Sequence, residues 1–475
     1  MLGTVNIQYE MAGRERGIAV GGLGILHRLV TKLGLVDAIN AAIPLLKRHL
    51  PYFESDHVLT MVYNILAGGT CLEDIELRRN DEAFLDSLAA SRIPDPTTGG
   101  DFLRRFGEPH VVALMEVFNR ARLAIWAEQP EEFFEQAVVD ADGTIAPTNA
   151  ECKVGVDLTY KGEWGYHPLV VSLANTQEPL YVVNRPGNRP SHDGAADWLD
   201  RAVDLCRKAG FKRTLLRGDT DFSQTRHLDR WDEQGVEFLF GLDSMPNLRN
   251  LAAALPKSAW TRLERPPKYE VQTETRRRPE NIKERIIWER GFKSIRLVGE
   301  MVAEFSYQPG ACRRDYRVVV VRKNLSIEQG DRALIDDIRY FFFITNDRTL
   351  SAAEVVLLAN ARCDQENLIA QLKGGVHAMH LPTASLESNW AYMAIASFAW
   401  SLKAWFALLL PVQGRWAEKH AAEKRAVLRM EFKRFLNVFV RLPVQVVRQG
   451  RRHILRLLGW NPWLHVFLRA VHAVG

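Results

Sequence analysis

At 475 residues the chain is too long for one ordinary hydrophobic core, and about two to four domains are expected. A hydrophobic share of 47% and a charged share of 25% exclude a disordered or fibrous polypeptide. The formal net charge of +5 conceals an asymmetry: residues 412–475 carry thirteen Lys and Arg against three acids, so the rest is net negative, a distribution suited to gripping phosphates in one place and holding cations in another.

The N-terminus, MLGTVNIQYEMAGRERG, has no apolar signal-peptide core. The five cysteines (Cys71, Cys152, Cys206, Cys312 and Cys363) form no Cys-x-x-Cys pair, which argues against a zinc site or a disulfide framework and fits a cytoplasmic protein. Residues 1–130 are predicted to form a helical N-terminal DNA-binding domain. Gly24–Gly34 and Ser55–Leu66 have helical apolar spacing. Pro94–Gly100 (PDPTTGG) is expected to turn, with Asp101 capping a basic helix over Asp101–Phe106; helix, glycine-containing turn and basic helix are parts of a DNA-binding module.

From about Glu135 strands and helices alternate. Gln136–Asp142, Tyr166–Asn175 and Pro179–Asn184 read as strands, Arg185–Pro190 as a loop, and about His192–Gly210 as a helix. Arg213–Arg217 is a strand ending at Gly218-Asp219, and Val236–Gly241 is a fifth. Three adjacent strands, a helix, a strand, a helix and a strand is the order of an RNase H-like α/β core, although periodicity alone leaves other α/β arrangements open. Residues 245–339 break the rhythm. They are rich in Pro, Arg and Glu and then β-like over Ile295–Tyr307 and Tyr316–Arg322, so a mainly β insertion subdomain is expected between core segments 135–244 and 340–410. The core resumes at Tyr340–Asn346. Trp390–Leu410 is long and apolar, but Ser397, Ser401 and Lys403 interrupt it, and it reads as a buried helix rather than a membrane span. Residues 411–475 form a basic α/β C-terminal region, with a basic hairpin about Gln449–Arg452.

Acids borne on strands are costly when buried unpaired, so each needs a reason. Asp140 and Asp142 share a face of the strand in VVDADGT, because side chains alternate with period two. Asp219 ends the strand in LLRGDTDF, and neighbouring strands would bring it to Asp142 at one sheet edge. Carboxylate oxygens are the hard ligands that Mg²⁺ prefers. Ser351-Ala-Ala-Glu354 is a capping box that starts a helix, along which Arg362, Glu366 and Lys373 stack on one face. Asp140 is a second candidate for Asp142's place, or its supporting neighbour. The Arg276-Arg277-Arg278 run reads as a phosphate contact. Trp260 and Trp288 read as packing of the insertion, with stacking on an unpaired base as the alternative, and His192 as the residue that opens a helix.

Arg362, three residues, Glu366, six residues and Lys373 is the spacing of the R-E-K part of the Y-R-E-K signature of insertion-sequence transposases. Together VVDADGT, LRGDTDF and RCDQENLIAQLK, with Gly165–Leu169, Arg185–Asn188 and the N-terminal half, resemble the thirteen-eighty insertion-sequence family of DDE-type transposases over nearly the whole chain. The signature's tyrosine falls at position 359, which is Ala359. The resemblance implies an RNase H-like catalytic core split by the β insertion. It makes Asp142, Asp219 and Glu366 the catalytic ligands of two Mg²⁺ ions, for which Mn²⁺ could substitute, and Arg362 and Lys373 the holders of DNA phosphates. The partners it implies are the element's terminal inverted repeats and target DNA, handled by a homodimer at the bacterial nucleoid, with no membrane. Two alternatives stay open: an inactive DNA-binding relic or repressor, and an RNase H-like nuclease without strand transfer.

Overall fold

The computed structural model describes residues 9, 13, 15–266, 282–329, 332–449 and 452–475. Its N-terminal part is helical, with Leu23–Lys32 and Glu54–Leu66 near the expected places and Leu35–Ala42 an additional helix between them, followed by the long helix α1 (Glu108–Trp126). One local expectation is corrected. Pro96–Leu103 is itself a helix rather than a turn, because Asp95 accepts the Thr98 amide at 2.9 Å as N-cap and Pro96 sits in the first turn, where its missing N–H costs nothing. Gly99 and Gly100 are buried, so the small residues serve close packing, and Asp101 lies inside this helix rather than at the start of the next.

A nine-stranded mixed sheet follows. Its strands are β1 (Gln136–Gly143), β2 (Leu169–Leu173), β3 (Glu178–Val183), β4 (Arg213–Gly218), β5 (Glu237–Leu242), β6 (Thr261–Arg262), β7 (Lys293–Tyr307), β8 (Tyr316–Gln329) and β9 (Arg332–Thr345), in the spatial order β6-β7-β8-β9-β5-β4-β1-β2-β3. Strands β1, β4 and β5 run parallel, and every other pairing is antiparallel. The helix α2 (Ala195–Ala209) crosses from β3 to β4. It begins three residues later than the sequence suggests, because Ser191–Gly194 forms a turn that closes with Gly194 at φ +69°. The long strands of the insertion extend the core sheet itself: β9 runs unbroken through 339–340, pairing with β8 along its length and with β5 over Phe342–Thr345.

The two sheet faces divide by the period-two rule. Ala137, Val139 and Ala141 of β1 join the main core, which also takes in α1, α2 and the central helix over Leu386–Leu408. Val138 of β1 and Leu215 and Leu239 of β4 and β5 point the other way, where Val355 and Val356 of helix α3 (Ala352–Asn360) cover them. Asp140, Asp142 and Arg217 are in phase with this second face. After α3, the sequence reading of one continuous helix needs a second correction. The capping box at Ser351 starts α3, but Glu366 and Lys373 sit on a separate helix, α4 (Cys363–Gly374). At the joint the amides of Arg362, Asp364 and Gln365 bond three residues back, and this 3₁₀-type tightening bends the chain.

The apolar segment is α5 (Leu386–Leu408), long and apolar enough to cross a membrane but buried from Ser388 onward. A charged cluster ties it to its neighbours. Glu178 of β3, fully buried, accepts from Arg122 Nε (2.9 Å) and Trp126 Nε1 (3.0 Å) of α1 and from Trp405 Nε1 (2.7 Å) of α5. Lys403 lies over the Trp400 ring at 4.0 Å and donates to the Leu428 carbonyl, and burial pushes its ammonium down to about 7 from 10.5. Between those values the unfolded chain holds more protons than the folded one, so stability rises as pH goes from about 7 to about 10.5. Lys403→Met should flatten that slope, by up to about 1.4 kcal/mol per pH unit, in denaturant titrations at a series of pH values. At the C-terminus Val444–Gln449 and Arg452–Leu457 pair as the expected hairpin, to which Arg16–Ile18 adds a third strand. Arg448 and Arg16 both pair with Asp86, so part of the basic charge is committed within the fold.

Candidate active site

The two strand-end aspartates arise from the parallel pairing of β1 and β4, in which Asp140 lies opposite Arg217. Two residues beyond those partners the chain reaches Asp142 on one strand and Asp219 just past the end of the other. Asp219 turns back to cap a short 3₁₀ turn, accepting the Asp221 amide at 3.0 Å. From the α3–α4 joint Arg362 spans both carboxylates, with Nη1 2.9 Å from Asp142 Oδ2 and Nη2 3.8 Å from Asp219 Oδ2. Burial pushes the Asp142 carboxyl up to about 6 against the pull of Arg362, and the neighbouring Asp219 charge adds to the rise. Burial raises Asp219 as well. One guanidinium therefore does not neutralise the pair, and the site favours additional positive charge.

Asp140 is differently placed. Only 1% exposed, it accepts from Arg217 through both oxygens, at 2.7 Å from Nε and 2.8 Å from Nη2. The remaining arm of Arg217 donates to the Leu358 carbonyl in the last turn of α3 at 2.7 Å. The circuit closes: Arg217 joins β4 to β1 and to α3, and two residues after α3 ends at Asn360, Arg362 returns to the aspartates. Gln365 pins α4 from the other side, donating to the Val170 carbonyl at 3.0 Å and accepting from Ser172, both on β2.

Glu366 is exposed, one helical turn beyond Arg362, and among the described residues its side chain makes no hydrogen bond or ion pair. No three of His, Cys, Asp and Glu come together as a metal-holding group among the described residues. Lys373, on the same face of α4, lies within electrostatic reach of Lys161, Glu163 and His167. His167 is buried, and burial lowers its pKa, so the ring is neutral near pH 7. Its Nδ1 stands 2.6 Å from the Arg189 carbonyl, which assigns the proton to Nδ1 and leaves the Nε2 lone pair free. That Nε2 would meet a Cβ at Gly143 at 2.9 Å, so the glycine after Asp142 lets the ring approach the strand end.

Of the other sequence candidates, Arg276, Arg277 and Arg278 lie outside the described residues. Trp260 is buried, with Arg322 over its ring at 4.9 Å and Tyr340 at 6.3 Å, and Trp288 is exposed. His192 lies just ahead of α2, and its carbonyl accepts from Gln224. Sequence reasoning missed Arg217, Gln365 and His167. Arg217 carried one signal, a cation in phase with Leu215 and directly after two leucines, two residues before a candidate acid. Gln365 and His167 carried none that a surface residue would lack.

The donor set of Asp142 and Asp219, hard oxygens short of positive charge, fits a divalent cation. A family model described as transposase DDE domain, group 1, matches residues 3–474. No curated protein sequence matches the chain. Among solved structures, the synaptic complex of piggyBac transposase with hairpin DNA matches at 11% identity over 89% of this chain and 84% of that one, with a TM-score of 0.36.

Proposed function

The chain belongs to the DDE-domain transposases of group 1, enzymes that act on DNA, and from that membership we propose an insertion-sequence transposase that cuts the ends of its element and joins them to target DNA. The finer resemblance is to the thirteen-eighty insertion-sequence family. In this reading β3-β2-β1-β4-β5 is an RNase H-like core, preceded by a helical DNA-binding domain (1–130) and interrupted by the β insertion (245–339). The core's last part is 340–410, and 411–475 is a basic region that binds DNA or pairs protomers. The observation that carries the reading is the meeting of Asp142 and Asp219 on one guanidinium, borne just ahead of the helix that presents Glu366.

Asp142, Asp219 and Glu366 would hold two Mg²⁺ ions, or Mn²⁺ in their place. Such ions supply Lewis acidity to both the attacking and the leaving oxygen of an in-line displacement at phosphorus. Every other part of the chemistry falls to the chain. Arg362, released from the aspartates, donates to the scissile phosphate, and Lys373, three turns along α4, to a neighbouring one. Asp140, its two oxygens engaged by Arg217, holds β1 and β4 in register. Glu366 would reach the aspartates by movement at the 3₁₀-type joint between α3 and α4. The active form is a homodimer in the cytoplasm of a bacterium, at the nucleoid, because two ends cut in concert need two sites.

The outward placement of Glu366 and the pairing of Arg362 with both aspartates also suit a chain that binds DNA without cutting it. A duplex carrying the terminal repeat that flanks the gene, incubated with the protein and Mg²⁺, Mn²⁺ or a chelator, separates the readings. Divalent-dependent cuts with 3′-hydroxyl ends, their joining to a target plasmid, and two protomers per paired-end complex are expected. Binding without cuts leaves the relic or repressor, and cuts without joining leave the nuclease.

A further inference from the structure

Four residues after Asp142 the chain enters a small three-stranded sheet, Ala146–Pro147, Asp157–Leu158 and Trp164–Tyr166, in which Leu158 pairs opposite Trp164. It stands as a finger at the end of β1 that carries the catalytic aspartate. Its tip is closed by two turn bonds of 2.8 Å, Thr159 amide to Glu163 carbonyl and Gly162 amide to Thr159 carbonyl, with Gly162 at φ +76°. Tyr166 Oη donates to the Val154 carbonyl at 2.7 Å, and Asn188 donates to Asp157 at 2.6 Å, so the base of the finger is fastened to the body.

On this rigid mount the apolar side chains face outward: Tyr160 is 75% exposed, Leu158 48% and Trp164 41%. Single exposed apolar residues need no explanation, but three on one short finger do. The Tyr160 ring lies 5.8 Å from the His167 ring, whose Nε2 abuts Gly143, next to Asp142. Lys161 lies 5.7 Å from the centroid of the same tyrosine ring, and Lys373 approaches Lys161 from α4.

We propose that Tyr160, backed by Trp164, is a stacking platform for a nucleobase drawn out of the duplex beside the scissile phosphate, with Lys161 on that nucleotide's backbone. The proposal rests on the transposase reading, because it takes the strand to pass Asp142. A strand held at Asp142 passes the His167 ring beside Gly143, and the Tyr160 ring 5.8 Å from that ring offers an aromatic face that accepts any base without reading its sequence. The flanking lysines favour an anion-carrying occupant over an apolar peptide, and the closed turns spare the ordering cost that a loose loop would incur.

The test uses the full chain and the terminal-repeat duplex, with 2-aminopurine placed in turn at each position flanking the cut. Wild-type protein should raise the fluorescence at one position, Tyr160→Phe should preserve the rise, and Tyr160→Ala should abolish it and weaken binding by about tenfold. With an abasic site at that position, wild type and Tyr160→Ala should bind alike. Tyr160 is exposed, so the fold survives its loss. Wild type that binds and cuts while Tyr160→Ala matches it in fluorescence and affinity overturns the platform alone. Equal losses on intact and abasic DNA overturn it in favour of a surface for another protein. Wild type that fails to bind the end duplex sinks the transposase reading, and the platform with it.

Discussion

Asp142→Asn should reduce DNA cleavage at least about a thousandfold while the protein stays folded. The expectation follows from what the substitution removes. The amide keeps the shape of the side chain but not the charge, and on the proposed function the position needs charge to gather cations beside a phosphodiester. Folding loses little. Asp142 is raised to about 6 by burial, so its charged form is held at a cost that asparagine avoids, and the lost pairing with Arg362 at 2.9 Å offsets that gain. Asp219→Asn should act alike. Glu366→Gln is the sharper case, because the Glu366 side chain makes no bond among the described residues, and its neutralisation should leave the melting temperature unchanged. A loss of cleavage as large as that of Asp142→Asn would place Glu366 in the same unit, and the double variant should then be no slower than either single one, as residues acting together are strongly non-additive. Full activity in Glu366→Gln would remove the third acid from the site. Cleavage rates, with melting curves beside them, read all four proteins.

The strands carrying the aspartates were legible because period two is a short-range signal: VVDADGT and LLRGD announce both the strand and the face. That these two strands neighbour each other in parallel is a long-range fact, and the order of elements suggested it only among other α/β solutions. The break at Ala361–Arg362 was hidden for a physical reason. No proline or glycine marks it, and helical spacing runs straight through it; the bend is set by tertiary partners, Arg362 on the aspartates and Gln365 on β2. The helix at Pro96–Leu103 was misread because glycines suggest a turn when the cap is overlooked: Asp95 followed by Pro96 is a start signal, and it outweighs two glycines packed at close quarters. Tyr160 and Trp164 gave no warning, since nothing in a sequence tells an exposed ring from a buried one in a short strand.

The largest effect on stability is expected at Arg217. Arg217→Met leaves Asp140, 1% exposed, as a buried carboxylate without its partner and strips the Leu358 carbonyl of a donor. Breaking such a pair from one side costs about 3–5 kcal/mol, a large part of the stability of an ordinary domain. The pH dependence has a definite sign. Burial already raises the Asp140 pKa against the pull of Arg217, and without that pull the rise is larger, so the variant's deficit is smallest where Asp140 is protonated and grows as pH rises through the folded pKa. Denaturant melts of wild type and variant between about pH 5 and 8 should therefore diverge with rising pH. Replacing both charges, Asp140→Leu with Arg217→Met, removes the unpaired charge and should recover most of the stability, because well-packed apolar pairs commonly replace buried ion pairs at little cost. Cleavage should not recover with it. Arg217 fixes β1, β4 and the end of α3 at once, and apolar contacts specify no register between two strands and a helix terminus. A stable double variant with slow cleavage and a raised requirement for Mg²⁺ would show that the buried pair sets the spacing of Asp142, Asp219 and Arg362; a stable double variant with wild-type cleavage would reduce it to a structural tie.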